Sequence, residues 1–483
     1  MAEGRIGLVE SESSPEARQS SSFSHYTPSQ LAKISDETCR LMDLLGYGEL
    51  IRQARRYGYR IRDRLMDVSF GHAFYMITSG SKGEGLANMY ESDIDLLAVL
   101  RDVVCLEDGL NDGTLPRVMT VFILNFGLCY PGHCKLLLCK RGQRIRPILQ
   151  NALVEDGYGG ALLSSDLFYR NCEHDYMDDD MDVEFQRNQR AGPSLPFTCF
   201  GLFKMDFVYC LPCLCPSILN RWAARSRHWP PTHVVQKVVS MGAFVTPVAY
   251  QGSEYKHVEW RLCFNTGEME LLCNLNDVQI KVYVILKMIL KDVLKPKNKE
   301  ITSYMVKNVV LWLAERSQNS LCNEKSLFNW LREGLIFLRN AIVTMHLPCY
   351  IIPERNLLAA CGMREDLQHT WITIMKEMIE EGPRILLRLP KMRRAIIAHP
   401  EPLFLYYRMK TELELLFLMC TNRFIKYIND DVDDSEGDRF IEEFNICLGL
   451  ILSPVLPLLN VDWNIDIDKR GSALIDILAG LLM

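Results

Sequence analysis

The chain has no excess of positive charge, no apolar leader, no internal repeat and no apolar run long enough to span a bilayer. A formal charge of −6 over 483 residues excludes a strongly basic nucleic-acid binder, although a local basic face is compatible with an acidic total. Residues 1–22 are polar, so no secretory leader is expected. The most hydrophobic late stretch, residues 446–459, is short and holds Pro454 and Pro457, so no membrane helix is expected either. The 17 cysteines are scattered among apolar segments of a large chain rather than spaced as a disulfide scaffold. They point to reduced thiols in the cytoplasm or the nucleus. What remains, 48% apolar and 24% charged, is the balance of a globular protein long enough for two lobes.

Residues 1–27, rich in Ser and Glu, are expected to be a disordered tail. Ser29 is the expected cap of a helical region that runs to about Met66 and turns near Gly46. Its second half carries Arg52, Arg55, Arg56, Arg60, Arg62 and Arg64, several on one face, which read alone is a solvated helix surface. The period then changes. Residues 74–78 read as a strand, followed by Ser79-Gly80-Ser81-Lys82-Gly83-Glu84-Gly85 and a second strand at 93–100. Residues 136–139 and 207–211 read as further short strands, and the acidic tract 173–184 as an exposed loop. From Val278 the pattern is helical, with segments at 281–294, 304–316 and 324–344. Amphipathic helix continues over 366–428, broken at Gly382-Pro383 and Pro400, and an acidic loop at 429–438 precedes a last helical segment.

Asp93 and Asp95 are two apart on the second strand, a spacing that turns both carboxylates to one face. Like charges side by side in a half-buried sheet repel and call for a cation. Mg²⁺ (or Mn²⁺) suits them, being hard and shared with substrate phosphates. Two such ions about 3.5–4 Å apart can activate a hydroxyl and stabilise leaving pyrophosphate. Gly80 permits close approach of a phosphate to the backbone, and Ser81 adds a hydroxyl and an amide. Strand, Gly-Ser turn, short helix and Asp-x-Asp strand together point to a nucleotidyltransferase core. Cys210, Cys213 and Cys215 alternate along a strand and so face opposite ways, which argues against a zinc site.

Ser79-Gly80-Ser81-x-x-Glu84-Gly85 followed by Ser92-Asp93-Ile94-Asp95-Leu96-Leu97 resembles the active-site opening of cyclic GMP-AMP synthase-like receptors, within the male-abnormal (Mab) domain family of nucleotidyltransferases. Asp206-Phe207-Val208, Trp222 with Arg225 and Arg227, Glu259-Trp260-Arg261-Leu262-x-Phe264, Lys287 and Ser303-Tyr304-Met305-Val306-Lys307 are similar to later motifs of that family, in order. The resemblance covers roughly residues 28–360. It implies an α+β, two-lobed nucleotidyltransferase fold. Residues 28–275 would form a mixed β-sheet core lobe with a long N-terminal helix, residues 276–365 a helical lobe, and residues 366–483 a helical C-terminal extension.

By the same resemblance, Asp206 would complete a metal-binding carboxylate triad with Asp93 and Asp95. Gly80, Ser81, Lys287 and Ser303 would hold phosphates, Tyr304 would stack on a purine and Arg261 would contact a base edge. Cys263 and Asn265 stand where the vertebrate member has serines, and that member's His-and-Cys zinc loop is absent, since residues 264–281 hold only Cys273. The implied activity is synthesis of a cyclic dinucleotide from ATP and/or GTP by an innate immune sensor. If the activator is a nucleic acid, double-stranded RNA is expected rather than DNA, on the face of the Arg52–Arg64 helix; a small molecule or a protein is the other class of activator. A catalytically silent scaffold of the same fold is the alternative, and an oligoadenylate-type polymerase is a third.

Overall fold

The computed structural model describes residues 26–452 apart from 70–72, 89–90, 111–112, 114, 176–184, 189–191, 200–202, 298–299, 318–322, 398–400 and 431–433. Most of the expected tail and of the acidic tract lies outside these residues. Helix α1 (Pro28–Met42) is capped by Thr27, not by Ser29. The Thr27 hydroxyl accepts from the Gln30 amide while the Gln30 side chain accepts from the Thr27 amide, so one pair of residues satisfies two amides. The chain bends through Asp43–Tyr47 and continues as α2 (Glu49–Ser69).

Next come β1 (Phe74–Ser79), α3 (Gly80–Gly83), β2 (Ile94–Leu100), β3 (Val103–Glu107), β4 (Thr120–Asn125) and β5 (His133–Lys140). A smaller group follows: α4 (Pro147–Gln150), β6 (Leu153–Glu155), β7 (Ala161–Leu163), α5 (Ser165–Asp175), β8 (Phe185–Arg187) and β9 (Leu195–Cys199). Then β10 (Phe203–Leu214), α6 (Pro216–Ala223), α7 (Thr232–Met241), β11 (Ala243–Thr246), β12 (Glu259–Cys263) and α8 (Asn265–Cys273) complete the strand-bearing part. The remainder is helical: α9 (Asp277–Ile289), α10 (Ser303–Arg316), α11 (Leu327–Thr344), α12 (Glu365–Glu381), α13 (Pro390–Ile397), α14 (Glu401–Asp430) and α15 (Asp434–Leu452). The expected acidic loop at 429–438 is mostly helix, since α14 reaches Asp430 and α15 starts at Asp434. Among the described residues no helix is long and apolar enough to cross a membrane.

The architecture is mixed α and β. The strands run in the order β1-β2-β10-β11-β12-β5-β4-β3, and β10 also pairs with β3. One apolar core, from Leu31 to Tyr407, joins sheet and helices. A smaller cluster of Leu97, Val99, Cys210 and Phe244 occupies another place. Cys210 belongs to that cluster, while Cys213 and Cys215 belong to the main core, so the three cysteines do not gather. At the β1 edge, α2 supplies what a neighbouring strand would: Asp67 accepts the Met76 amide at 2.6 Å and Asp63 accepts the Thr78 amide at 2.7 Å.

The arginine stripe of α2 is not what its spacing suggests. Arg52, Arg55 and Arg62 are buried; Arg60 and Arg64 are exposed, with Arg56 between. Arg52 meets Asp277 of α9 at 2.7 Å and Arg62 donates to Thr78 at 3.0 Å. Arg55, with no exposure at all, forks onto Glu414 of α14 through Nε (3.1 Å to both oxygens) and Nη2 (2.8 Å). It also donates to the Gly46 carbonyl at 2.6 Å and to Asn88. The helix that covers α2 is thus α14, and it approaches closely because Gly58 has no side chain: a Cβ there would lie 2.3 Å from Leu418 Cδ2.

Breaking this buried pair strands a charge. Glu414→Gln should lower unfolding stability by about 3–5 kcal/mol, read as a lower urea midpoint at unchanged slope. Replacing both partners by apolar residues should recover most of that loss. An unchanged midpoint in Glu414→Gln would show that the pair adds nothing.

Candidate active site

Antiparallel pairing of β1 with β2 sets Ser79 opposite Asp95, and parallel pairing of β2 with β10 sets Asp206 beside Asp95. In-register neighbours on adjacent strands point to the same face, so these two carboxylates meet without any help from sequence proximity. Asp93 departs from expectation. Strand β2 begins at Ile94, and Asp93 is an exposed residue of the preceding loop. Burial raises the Asp95 carboxyl to about 7, and the negative charges of Asp206, Glu84 and Asp93 add to the effect. Gly80, at φ 59°, is what makes room for Asp95: a Cβ at Gly80 would lie 1.9 Å from Asp95 Oδ2.

A cleft of about 450 Å³ opens on this point. Gly80, Ser81, Glu84 and Asp95 line it from the β1–β2 side, Arg261 and Glu268 from β12 and α8, and Ser303, Tyr304, Lys307 and Arg355 from the helical region. Asp93 and Asp206 lie outside that wall. Lys287 of α9 donates to Ser81 Oγ at 2.5 Å, and burial lowers its pKa, so the ammonium sits half-desolvated beside the Gly80-Ser81 turn. Helix α10 starts with no side-chain cap, and Ser303 and Tyr304 at its start line the cleft. Its free amides and dipole favour an anion there. The Tyr304 hydroxyl donates to Glu268 at 2.9 Å, which fixes the ring at the cleft wall.

Four further residues belong to the cleft and had no role assigned from sequence: Glu84, Glu268, Lys307 and Arg355. Lys307 lies between Glu84 (2.6 Å) and Glu268 (3.3 Å), and together these carboxylates hold it charged against burial. Its position three residues after Tyr304 places both on one helix face, a signal the sequence did contain. Arg355 comes from the irregular segment between α11 and α12, where no periodicity marks it.

Among the described residues no three carboxylate, His or Cys side chains converge into a metal cage. Asp95 and Asp206 nevertheless suit Mg²⁺ or Mn²⁺. Such an ion commonly takes one or two carboxylates and completes its shell with water and substrate phosphates. The crowding of negative charge around Asp95 is what a cation would relieve.

Residues 279–382, from α9 through α12, match the family profile described as the Mab-21 protein HhH/H2TH-like domain. This part of the helical region is similar to that domain. The match takes in Lys287, Ser303, Tyr304, Lys307 and Arg355. It does not reach the strands that carry Asp95 and Asp206. No curated protein matches the chain.

A carboxyl whose folded pKa is raised costs stability when it ionises. That cost is absent below about pH 4, grows towards pH 7 and is complete above it. Asp95→Asn removes it. In metal-free buffer at pH 8 the variant should melt on the order of a few degrees above the parent, and at pH 4 the two should coincide. Added Mg²⁺ should raise the melting temperature of the parent only. Identical melting at both pH values would refute the charge crowding.

Proposed function

We propose that the protein is a metal-dependent nucleotidyltransferase that joins two purine nucleoside triphosphates, ATP and GTP, into a cyclic dinucleotide, as a ligand-switched sensor in antiviral innate immunity. The observation that carries this reading is one cleft lined by Asp95, the Gly80-Ser81 turn and the uncapped start of α10, with Lys287 bonded to Ser81 at that turn. The resemblance to cyclic GMP-AMP synthase-like receptors and the Mab-21 domain support it.

In this reaction a ribose hydroxyl of one nucleotide attacks the α-phosphorus of the other, its proton passes to solvent and pyrophosphate leaves; a second such attack within the linear product closes the ring and releases the second pyrophosphate. Bound Mg²⁺ or Mn²⁺ would neutralise phosphate charge and acidify the attacking hydroxyl. Asp95 and Asp206, with Asp93 from the loop, would hold it. Ser81, Lys287 and Ser303 would orient the triphosphate, the lysine as a point charge. Tyr304 would present its ring to a purine, held by Glu268. Positioning and fixed charge would supply most of the rate.

The second reading is a catalytically silent Mab-domain interaction protein. The exposed Asp93 and the lack of a converged three-ligand group among the described residues favour it. The two separate in one assay. Full-length protein is incubated with labelled ATP, GTP, CTP and UTP, Mg²⁺ or Mn²⁺ and a panel of nucleic acids. A phosphatase-resistant product is expected, reduced about a hundredfold or more in Asp95→Asn and Asp206→Asn. Binding without product under every activator would leave the silent reading standing.

A double-stranded RNA activator on α2 would have only Arg56, Arg60 and Arg64 to work with, since Arg52, Arg55 and Arg62 are consumed by protein partners. Arg60→Glu with Arg64→Glu should then weaken RNA binding and flatten its dependence on salt. An unchanged slope would remove α2 as the RNA face.

A further inference from the structure

Most buried cations of this protein have a partner. Arg55 has Glu414, Lys307 has Glu84 and Glu268, and Lys281 has Asp43 and Asp277. Two half-buried guanidiniums in the cleft do not follow this pattern. Among the described residues neither Arg261 nor Arg355 forms an ion pair or a side-chain hydrogen bond, although both line the cleft. They come from different parts of the chain to one corner. Arg261 is paired across the sheet with His133 of β5, and the Arg355 stem lies against Gly132, the residue before His133. Burial pushes the His133 imidazole down to about 3, helped by the positive charges of Arg355 and Arg261, so His133 is neutral and does not compete for an anion.

Two ligand chemistries suit such a corner: a phosphate or a base edge with two acceptors. The surroundings favour the base. Phosphate has its own cradle at Ser81, Lys287 and the start of α10. Tyr304 and Glu268 line the same cleft, and, against burial, the charges of Tyr304, Cys349, Cys263 and Glu268 favour the charged form of Arg355. A carboxylate beside the guanidinium would repel a phosphate, whereas an aromatic ring suits a flat base. Guanine offers O6 and N7, two acceptors on one edge that match a guanidinium fork, while adenine offers a donor beside N7.

We infer that Arg355, acting with Arg261, is a specificity-determining residue that selects guanine over adenine for one of the two purine positions. This rests on the nucleotidyltransferase reading of the cleft and adds Arg355 to it as the residue that reads the guanine.

The test uses full-length protein in Mg²⁺ and competition by GMP and by AMP against a fluorescent purine nucleotide, which avoids turnover. The parent should prefer GMP. Arg355→Met should weaken GMP by about 5- to 100-fold and change AMP by less than about twofold. Arg355→Lys, which keeps the charge and loses the fork, should also lose discrimination, though it retains folding. Melting curves establish that each variant is folded. Equal weakening of GMP and AMP, an unchanged GMP affinity, or full rescue by lysine would overturn the inference while leaving nucleotide binding intact. Failure of the parent to bind any purine nucleotide would overturn both this inference and the enzyme reading beneath it.

Discussion

The parallel pairing of β2 with β10 is the interaction on which the rest depends. Strand β10 has 12 residues and two sets of neighbours. Its first half lies between β2 and β9, and its second half pairs with β11 and β3. The register that sets Asp206 beside Asp95 is therefore also the register that joins the two portions of the sheet. Slipping β10 by one residue would turn Asp206 to the opposite face and would drive Phe207 out of the core. The candidate site and the hydrophobic core are specified by one set of backbone hydrogen bonds.

Around that strand the protein handles an awkward electrostatic demand. It places several carboxylates close to one cleft. Lys307 reaches from the helical region to Glu84 and Glu268, so the ion pairs there also fasten α10 to the strand-bearing part. Arg225 does similar work farther away, meeting Glu315 at 2.9 Å and lying over the rings of Trp312 and Tyr350. Among the described residues Asp95 forms no ion pair, and burial, with the negative charges of Asp206, Glu84 and Asp93, raises its proton affinity.

The legible features were the local ones. Strand β1, the Gly80-Ser81 turn and the run after Asp95 follow from period-two patterning and from the need for a glycine. The stretch 281–294 was readable as buried because it is apolar on most faces. Features fixed by distant partners were not legible. Arg55 looks the same in sequence whether it faces water or Glu414, which lies 359 residues away. Asp93 sits in a loop rather than on β2 because the strand begins one residue later, a boundary that composition does not mark. Asp206 acquires meaning only from register, and Arg355 only from the path of an irregular segment across Gly132. Short β6, β7 and β8 carry too few residues to show a period at all.

Helices α2 and α14 meet through a repeated contact. The Asn422 side chain donates to the Gly58 carbonyl at 2.9 Å, and the Asn429 side chain donates to the Leu65 carbonyl at 2.8 Å. Both contacts bridge the same chain separation of 364 residues, so the helices run side by side in the same direction with one shared phase. An α-helix returns to nearly the same face after about seven residues. Between the two contact points, a change of length keeps both contacts only if it is a whole heptad made in both helices together. A lone insertion in either would rotate one asparagine off its carbonyl and leave the other in place.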